Sequence, residues 1–231
     1  VVGTGSDSFH HCGTANSSFN ISTIGSSAQY QGFSTFQKAG SSTWTLTGTN
    51  ISAMSLSINA GTLLVNGSMT GSSMTVNNGG TLGGTGTVGS TSVNAGGIFA
   101  PGSGTPGTSM TVDALSFASG SFYQVQVNPT TSSSALAAVT ASLGGATVNA
   151  VFASGSYISK QYTILSAITP ISGTFAPTVL NTNLPTNFID SLSYDSTHAY
   201  LNLTLSFTPS STLNFGGGLS GNQNAVGNTL V

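Results

Sequence analysis

Charge is almost missing from this chain. It has no Arg and no Glu, and only 3% of its 231 residues are charged, against about a quarter in an ordinary globular protein. The charges are Asp7, Lys38, Asp113, Lys160, Asp190 and Asp195. Two Lys cannot neutralise a run of phosphates, so nucleic acid is excluded as a partner. The same shortage argues against an anionic membrane surface. No apolar run is long enough to span a bilayer as a helix. Cysteine is nearly missing too: Cys12 stands alone, so no intrachain disulfide forms and an oxidising compartment would not help the fold. The first residues show no basic segment followed by an apolar run and no initiating Met. We therefore expect a piece of a longer polypeptide whose start lies upstream.

Small polar residues and a moderate apolar fraction are present instead. Hydrophobic residues make up 38% of the chain, enough for a core and too much for simple disorder. Solubility falls to Ser, Thr, Asn and Gln. The informative pattern is a repeat over residues 57–112. Ser57-Ile-Asn59-Ala-Gly61 returns as Thr75-Val-Asn77-Asn-Gly-Gly80 and as Ser92-Val-Asn94-Ala-Gly-Gly97. A weaker copy is Thr111-Val-Asp113-Ala114. The β-branched positions Ile58, Val76, Val93 and Val112 are thus spaced by 18, 17 and 19 residues. A short period of strand and turn is the mark of a solenoid, with one coil of a parallel β-helix per unit.

One coil cannot fold alone, because ordering its backbone costs more than its few inward apolar side chains return. Stacking pairs the strands of successive coils and buries both faces of each apolar layer. Glycine allows the chain to bend at the turns. Asn59, Asn77 and Asn94 can stack and hydrogen-bond along the axis.

Around this core the reading is coarser. In residues 1–37, Phe9, Phe19, Ile21, Ile24, Tyr30, Phe33 and Phe36 are spaced by Ser, Thr and Gly, which suggests two irregular coils. Residues 43–49 alternate as a half-buried strand, with Trp44 and Leu46 inward. After residue 112 the coils become larger and more aromatic. Ala118-Ser-Gly-Ser-Phe122 recurs as Ala153-Ser-Gly-Ser-Tyr157, a spacing of 35 that suggests two coils. Each copy leads into alternating strand, carrying Tyr123, Val125 and Val127 after the first and Tyr162, Ile164 and Ile168 after the second. Residues 132–142 fit a short helix or an alternating strand of another period. Pro170, Pro177 and Pro185 break the next stretch into loops. Residues 192–194 and 200–207 look like a final hairpin turning near Asp195 to Thr197. A Gly-rich linker over 208–218 precedes a weak helical pattern of Leu219, Val226 and Leu230. The organisation expected is 1–112 as β-helix coils, 113–208 as larger terminal coils with a hairpin cap, and 209–231 as linker and helix start.

Several motifs resemble chemistry and fail on context. Gly84, Gly86 and Gly89 match the dinucleotide pattern GxGxxG, as do Gly102, Gly104 and Gly107. Neither opens a helix, and each glycine of one lies one repeat period from its counterpart, so structural turns are the better reading. His10, His11 and Cys12 are adjacent in an extended segment and cannot all face one ion, so no metal site is expected. Asp190 and Asp195 read as local turn formers rather than paired acids. Four Asp and two Lys scattered along the chain do not assemble an acid–base site, so we expect no enzyme and no cofactor. The Thr-rich strand 43–49 is similar to flat ice-binding surfaces, but the equivalent positions of later coils are read as Leu63, Val65 and Leu82, which weakens that reading. The Asn-x-Ser/Thr triplets at Asn20, Asn50, Asn66 and Asn202 are expected by chance.

Taken in order, three stretches resemble the passenger of a bacterial autotransporter (type V secretion). Trp44-Thr-Leu-Thr-Gly-Thr-Asn50 with Asn59-Ala-Gly-Thr-Leu-Leu-Val-Asn-Gly67 resembles the passenger-associated transport repeat. Gly79 to Val88, Asn94 to Gly97 and Ala100 to Gly102 resemble its continuation. Leu192 to Asp195 with Ala199 to Leu203 is similar to the end of such passengers, and Leu219 to Val226 to the segment before the translocator. The resemblance covers about residues 30–231. It implies a right-handed, single-stranded parallel β-helix with a C-terminal autochaperone-like cap. It further implies export through an outer-membrane barrel of a Gram-negative bacterium to the cell surface, with that translocator and the outer-membrane assembly machinery as partners. The binding-class expectation is an adhesin whose polar wall touches glycans or a host cell. A degraded β-helix carbohydrate-active enzyme ranks below both.

Overall fold

The computed structural model describes residues 2–11 and 14–206, the first stretch by its backbone alone. Apart from one short 3-10 turn, the regular structure of the described residues is all strand. In order the strands are β1 (Val2–His11), β2 (Ser17–Asn20), β3 (Gln31–Lys38), β4 (Thr43–Thr47), β5 (Met54–Ile58) and β6 (Gly61–Val65). Next come β7 (Ser68–Val76), β8 (Gly80–Gly84), β9 (Thr87–Val93), β10 (Ile98–Pro101), β11 (Ser109–Phe117) and β12 (Phe122–Val127). The last are β13 (Ser134–Ser142), β14 (Thr147–Phe152), β15 (Lys160–Ala167), β16 (Leu180–Thr182), β17 (Phe188–Tyr194) and β18 (His198–Leu205).

Odd-numbered strands β1 to β15 stack in one wall and even-numbered strands β2 to β16 in the other, so each coil gives one strand to each wall. All these neighbours pair in parallel. This is a parallel β-helix with two sheets, of 10 and 8 strands. Its core is a set of inward columns. In the even wall Trp44, Leu63, Leu82, Phe99, Tyr123 and Val148 stand opposite one another in sequence. In the odd wall Lys38, Ile58, Val76, Val93 and Phe117 do the same. Leucine, valine and phenylalanine in these columns are buried to 4% exposure or less.

The register corrects three details of the repeat. Val93 lies opposite Phe117, and Val112 opposite Val88, so the fourth copy at 111–114 is not the structural continuation of the third. The coil grows to 24 residues there, because the loop 102–108 is inserted before β11. The two glycine motifs are not register equivalents: Gly84 stands opposite Pro101 and meets Gly102 in an antiparallel bridge, while Gly89 lies inside β9 and Gly107 in the inserted loop. The Ala-Ser-Gly-Ser copies occupy different corners. The first links β11 to β12 and the second follows β14, while the coil between Val127 and Phe152 is 25 residues, so a spacing of 35 is not two coils.

Residues 134–142 form strand β13, not helix. Ala135 and Ala137 pair with Met110 and Val112, and a helix would leave β11 with an unpaired edge inside the stack, so neighbour pairing overrides local propensity. A bulge between Thr163 and Leu165 then shifts the inward set of β15: Tyr162, Ile164, Leu165 and Ala167 are buried, and Ile168 is 66% exposed. Thr43 stands opposite Thr62, and Thr62 opposite Thr81. Leu63 and Leu82 are equivalents of Trp44, so an outward threonine column does exist; it ends after three coils at Ile98. The first coil is the least regular, with register shifts between β1 and β3 and a short 3-10 turn, Ile21–Thr23, whose start is capped by the Asn20 side chain.

At the far end the pattern changes. β18 joins β15 antiparallel, and β17 joins β18 antiparallel. The hairpin expected near Asp195 to Thr197 is therefore present. The linker and helix start expected over 208–231, and Cys12, lie outside the described residues, as do the side chains of His10 and His11.

Candidate functional site

The repeated turn after β5, β7 and β9 is the most ordered polar feature. Asn77 Nδ2 donates to Asn59 Oδ1 at 2.7 Å, and Asn94 Nδ2 donates to Asn77 Oδ1 at 2.8 Å. Asn77 uses its donor toward one coil and its acceptor toward the next, so a single side-chain type links three successive coils along the axis. Beside it runs a glycine column. Gly61 stands opposite Gly80, and Gly97 follows by the register of β10 on β8. A Cβ at Gly80 would sit 2.3 Å from Ile58 O, and one at Gly97 2.6 Å from Val76 O. The glycines let each coil lie directly on the backbone of the one before. Gly61 combines two duties, with φ of +67° as well as close approach to Gly40 O at 2.4 Å, because its turn is one residue shorter after Asn59 than the later turns after Asn77 and Asn94. Trp44 opens the even-wall column, half-buried and packed on the core.

Lys38 was visible in the sequence only as a charge. Its side chain is fully buried in the column of Ile58 and Val76. The ammonium donates to Ala39 O at 3.0 Å, Gly40 O at 2.8 Å and Ala60 O at 3.2 Å. All three of its N–H groups thus meet carbonyl oxygens of two successive turns. The signal that could have found it is positional: Lys38 lies one coil before Ile58, directly ahead of an Ala-Gly turn.

The C-terminal cap is aromatic. Phe99 stacks on Tyr123 with centroids 6.0 Å apart, and Tyr123 on Phe175 at 5.3 Å, while Phe117 meets all three edge-on. Phe175 comes from the loop after β15 and closes the column. Its backbone N–H donates to Tyr194 Oη at 3.1 Å, which fastens that loop to β17. Tyr123 is fully buried and its hydroxyl donates to Ile164 O; burial pushes the phenol far above its ordinary pKa, so it stays a donor.

The hairpin turn is held by Asp195. Its carboxylate accepts from Thr197 N at 2.8 Å, His198 N at 2.7 Å and Tyr200 Oη at 2.6 Å, and pairs with His198 Nδ1 at 3.0 Å. The Tyr200 hydroxyl, followed by the turn amides, holds this acid well below the usual carboxylate range, and the same bond raises Tyr200. Asp190 is separate. It lies on the half-buried face of β17, accepts from Asn181 Nδ2 at 3.2 Å, and is pushed upward by burial. The two aspartates therefore have different partners and do not form one paired-acid site. Among the described residues no three His, Cys, Asp or Glu side chains converge as a metal site would need.

Every one of these features joins one coil to the next or closes the stack. No protein-family model matches the chain, and no curated protein matches it.

Proposed function

We propose that the chain is the C-terminal part of an autotransporter passenger, a structural cell-surface segment that folds outside the outer membrane and helps draw upstream sequence out. The observation that carries this reading is the contrast between the thin, repeated coils and the larger capped coils that follow them. A stack of identical coils has no preferred end from which to fold. The aromatic column of Phe99, Tyr123 and Phe175 and the β17–β18 hairpin give it one. Coils added onto a finished end bury Leu, Ile and Val side chains one layer at a time, and each layer disfavours backsliding through a pore. A single cysteine suits a chain that crosses such a pore unfolded. The translocator barrel and the outer-membrane assembly machinery are the partners this function requires.

The test is refolding from denaturant, followed by intrinsic fluorescence and circular dichroism. Removing residues 113–207 slows refolding far more than removing residues 1–40. Equal rates for the two deletions would sink the proposal.

A further inference from the structure

The odd wall turns a corner in its middle. Met69 pairs with Val88 and Ser73 with Ser90, so β7 spends Thr70, Gly71 and Ser72 where β9 spends Gly89 alone. In β11 the equivalent single residue is Asp113, since Val112 lies opposite Val88 and Leu115 opposite Thr91. At this corner a groove of about 420 Å³ opens on the outer face, lined by Ser34, Thr35, Ser55, Ser73, Ser90 and Asp113 among others. Glycine lies alongside it: a Cβ at Gly71 would stand 2.1 Å from Ile51 O, and one at Gly89 1.9 Å from Ser72 O.

The lining is ordered. Thr35, Ser55, Ser73 and Ser90 are successive partners across β3, β5, β7 and β9, so their hydroxyls repeat roughly every 4.8 Å along the axis. Ser73 Oγ donates to Ser55 Oγ at 3.3 Å, and Ser55, Ser73 and Ser90 are exposed on the outer face. Asp113 is half-exposed and makes no side-chain hydrogen bond or ion pair with another described residue. Asp195, by contrast, is fully engaged by its own turn, and Asp190 holds Asn181.

We propose that this groove binds a neutral oligosaccharide lying along the helix axis, with Asp113 accepting hydrogen bonds from a pair of sugar hydroxyls. The export function does not require it; it gives the adhesive expectation an address. The chemistry selects the ligand class. An extended peptide adds to a free strand edge or fills side-chain pockets, and here the strands that line the groove, β3, β5, β7, β9 and β11, are each paired on both sides. A sulfated or uronic-acid chain needs cations, whereas Lys38 is buried facing the core and Lys160 lines a different hollow, with Gln161 and Thr163. A row of hydroxyls with one carboxylate matches the diols of a neutral sugar. Without an aromatic platform each sugar contributes little, so binding strengthens with chain length by repeated contact.

The test is a printed array of neutral hexose and N-acetylhexosamine oligosaccharides beside sulfated and uronic-acid ones, probed with the whole chain. The strongest neutral oligosaccharide is then titrated into variants. Neutral sugars bind, longer chains better. Asp113→Asn, which keeps the shape, weakens binding roughly fivefold to tenfold through loss of the charge-assisted bonds. Ser73→Trp, which fills the groove from an outward position, abolishes it. Ser116→Trp, on the same wall outside the groove lining, leaves binding unchanged. A preference for anionic glycans, or full binding by Ser73→Trp and Asp113→Asn, overturns the groove while leaving the adhesive reading standing. Silence across the array overturns both. Unchanged circular dichroism of each variant establishes that it is folded.

Discussion

At the scale of single residues, the polar side chains of the Asn turns join coils and those of the C-terminal hairpin end them. Asn77 is the middle member of the amide chain and makes two interchain-like bonds within one molecule, one to each neighbouring coil, while Asn94 makes one. These bonds are solvent-accessible, so each is worth toward the lower end of about 0.5–1.5 kcal/mol. Asn77→Ala should lower stability by about 1 kcal/mol and Asn94→Ala by about half as much, read from urea denaturation midpoints. The two aspartates give opposite pH effects. Asp195 has a lowered folded pKa, set first by the Tyr200 hydroxyl. Its stabilisation is present above the unfolded value of about 3.9 and is lost as pH falls through the folded value. Asp190 has a raised folded pKa, set by burial. Its more favourable protonated state is present below the unfolded value and is lost as pH rises through the folded one. Asp190→Asn should therefore raise the melting temperature at neutral pH and leave it unchanged in acid. Asp195→Asn should lower it at neutral pH and flatten the loss toward acid. Melting temperatures from pH 2 to 8 decide both. The asparagines were legible because they repeat at the coil period. Lys38 was missed, because it appears once and a charge at the place of Ile58 runs against the apolar pattern; the register puts it there.

At the scale of elements, regular coils were easy to read and atypical ones were not. β5 to β9 carry the alternation and turn residues of their own structure. β13 does not: its Ala-Leu-Ala-Ala run suits helix as well as strand, and the tie is broken by β11 and β15 on its two sides. The bulges in β7 and β15 were likewise invisible, since an extra residue leaves no mark on composition and shifts which side chains face inward. The cap was read as a hairpin, but its working part is the loop that carries Phe175. Phe175 is 3% exposed and stacks at the end of the aromatic column. Phe175→Ala should cost about 3 kcal/mol, the lower end for a buried aromatic because the end of the stack can partly collapse. Tyr194→Phe should cost about 1 kcal/mol by removing the acceptor for the Phe175 amide. Guanidinium denaturation measures both; a Phe175→Ala loss no larger than that of Tyr194→Phe would show that the loop does not close the core.

At the scale of the whole molecule, the near absence of charge is a property of the fold as much as of its surface. Coils stack at one strand spacing, so any residue repeated at a coil position faces its own copies. A repeated charge would face like charges at that spacing, a destabilising arrangement, whereas repeated Asn, Ser or Thr can bond to its copies. With a formal net charge of −2 and one ion pair among the described residues, between His198 and Asp195, there is little for salt to screen. Stability in denaturant should change by less than about 0.5 kcal/mol between low salt and ~1 M NaCl. A larger loss would mean that electrostatics carries part of the stack.

The period, the strand-and-turn unit and the identity of the turn residues are local facts, written wherever one coil copies another, and they are enough to establish a parallel β-helix. Which coil lies opposite which is not local. It depends on the inserted loop at 102–108, on the bulges, and on the pairing each strand receives from two neighbours far away in the chain. Those long-range pairings turned a weak fourth repeat into a longer coil and an Ala-rich run into a strand. They also placed Lys38 inside the core and set four hydroxyls and Asp113 around one groove.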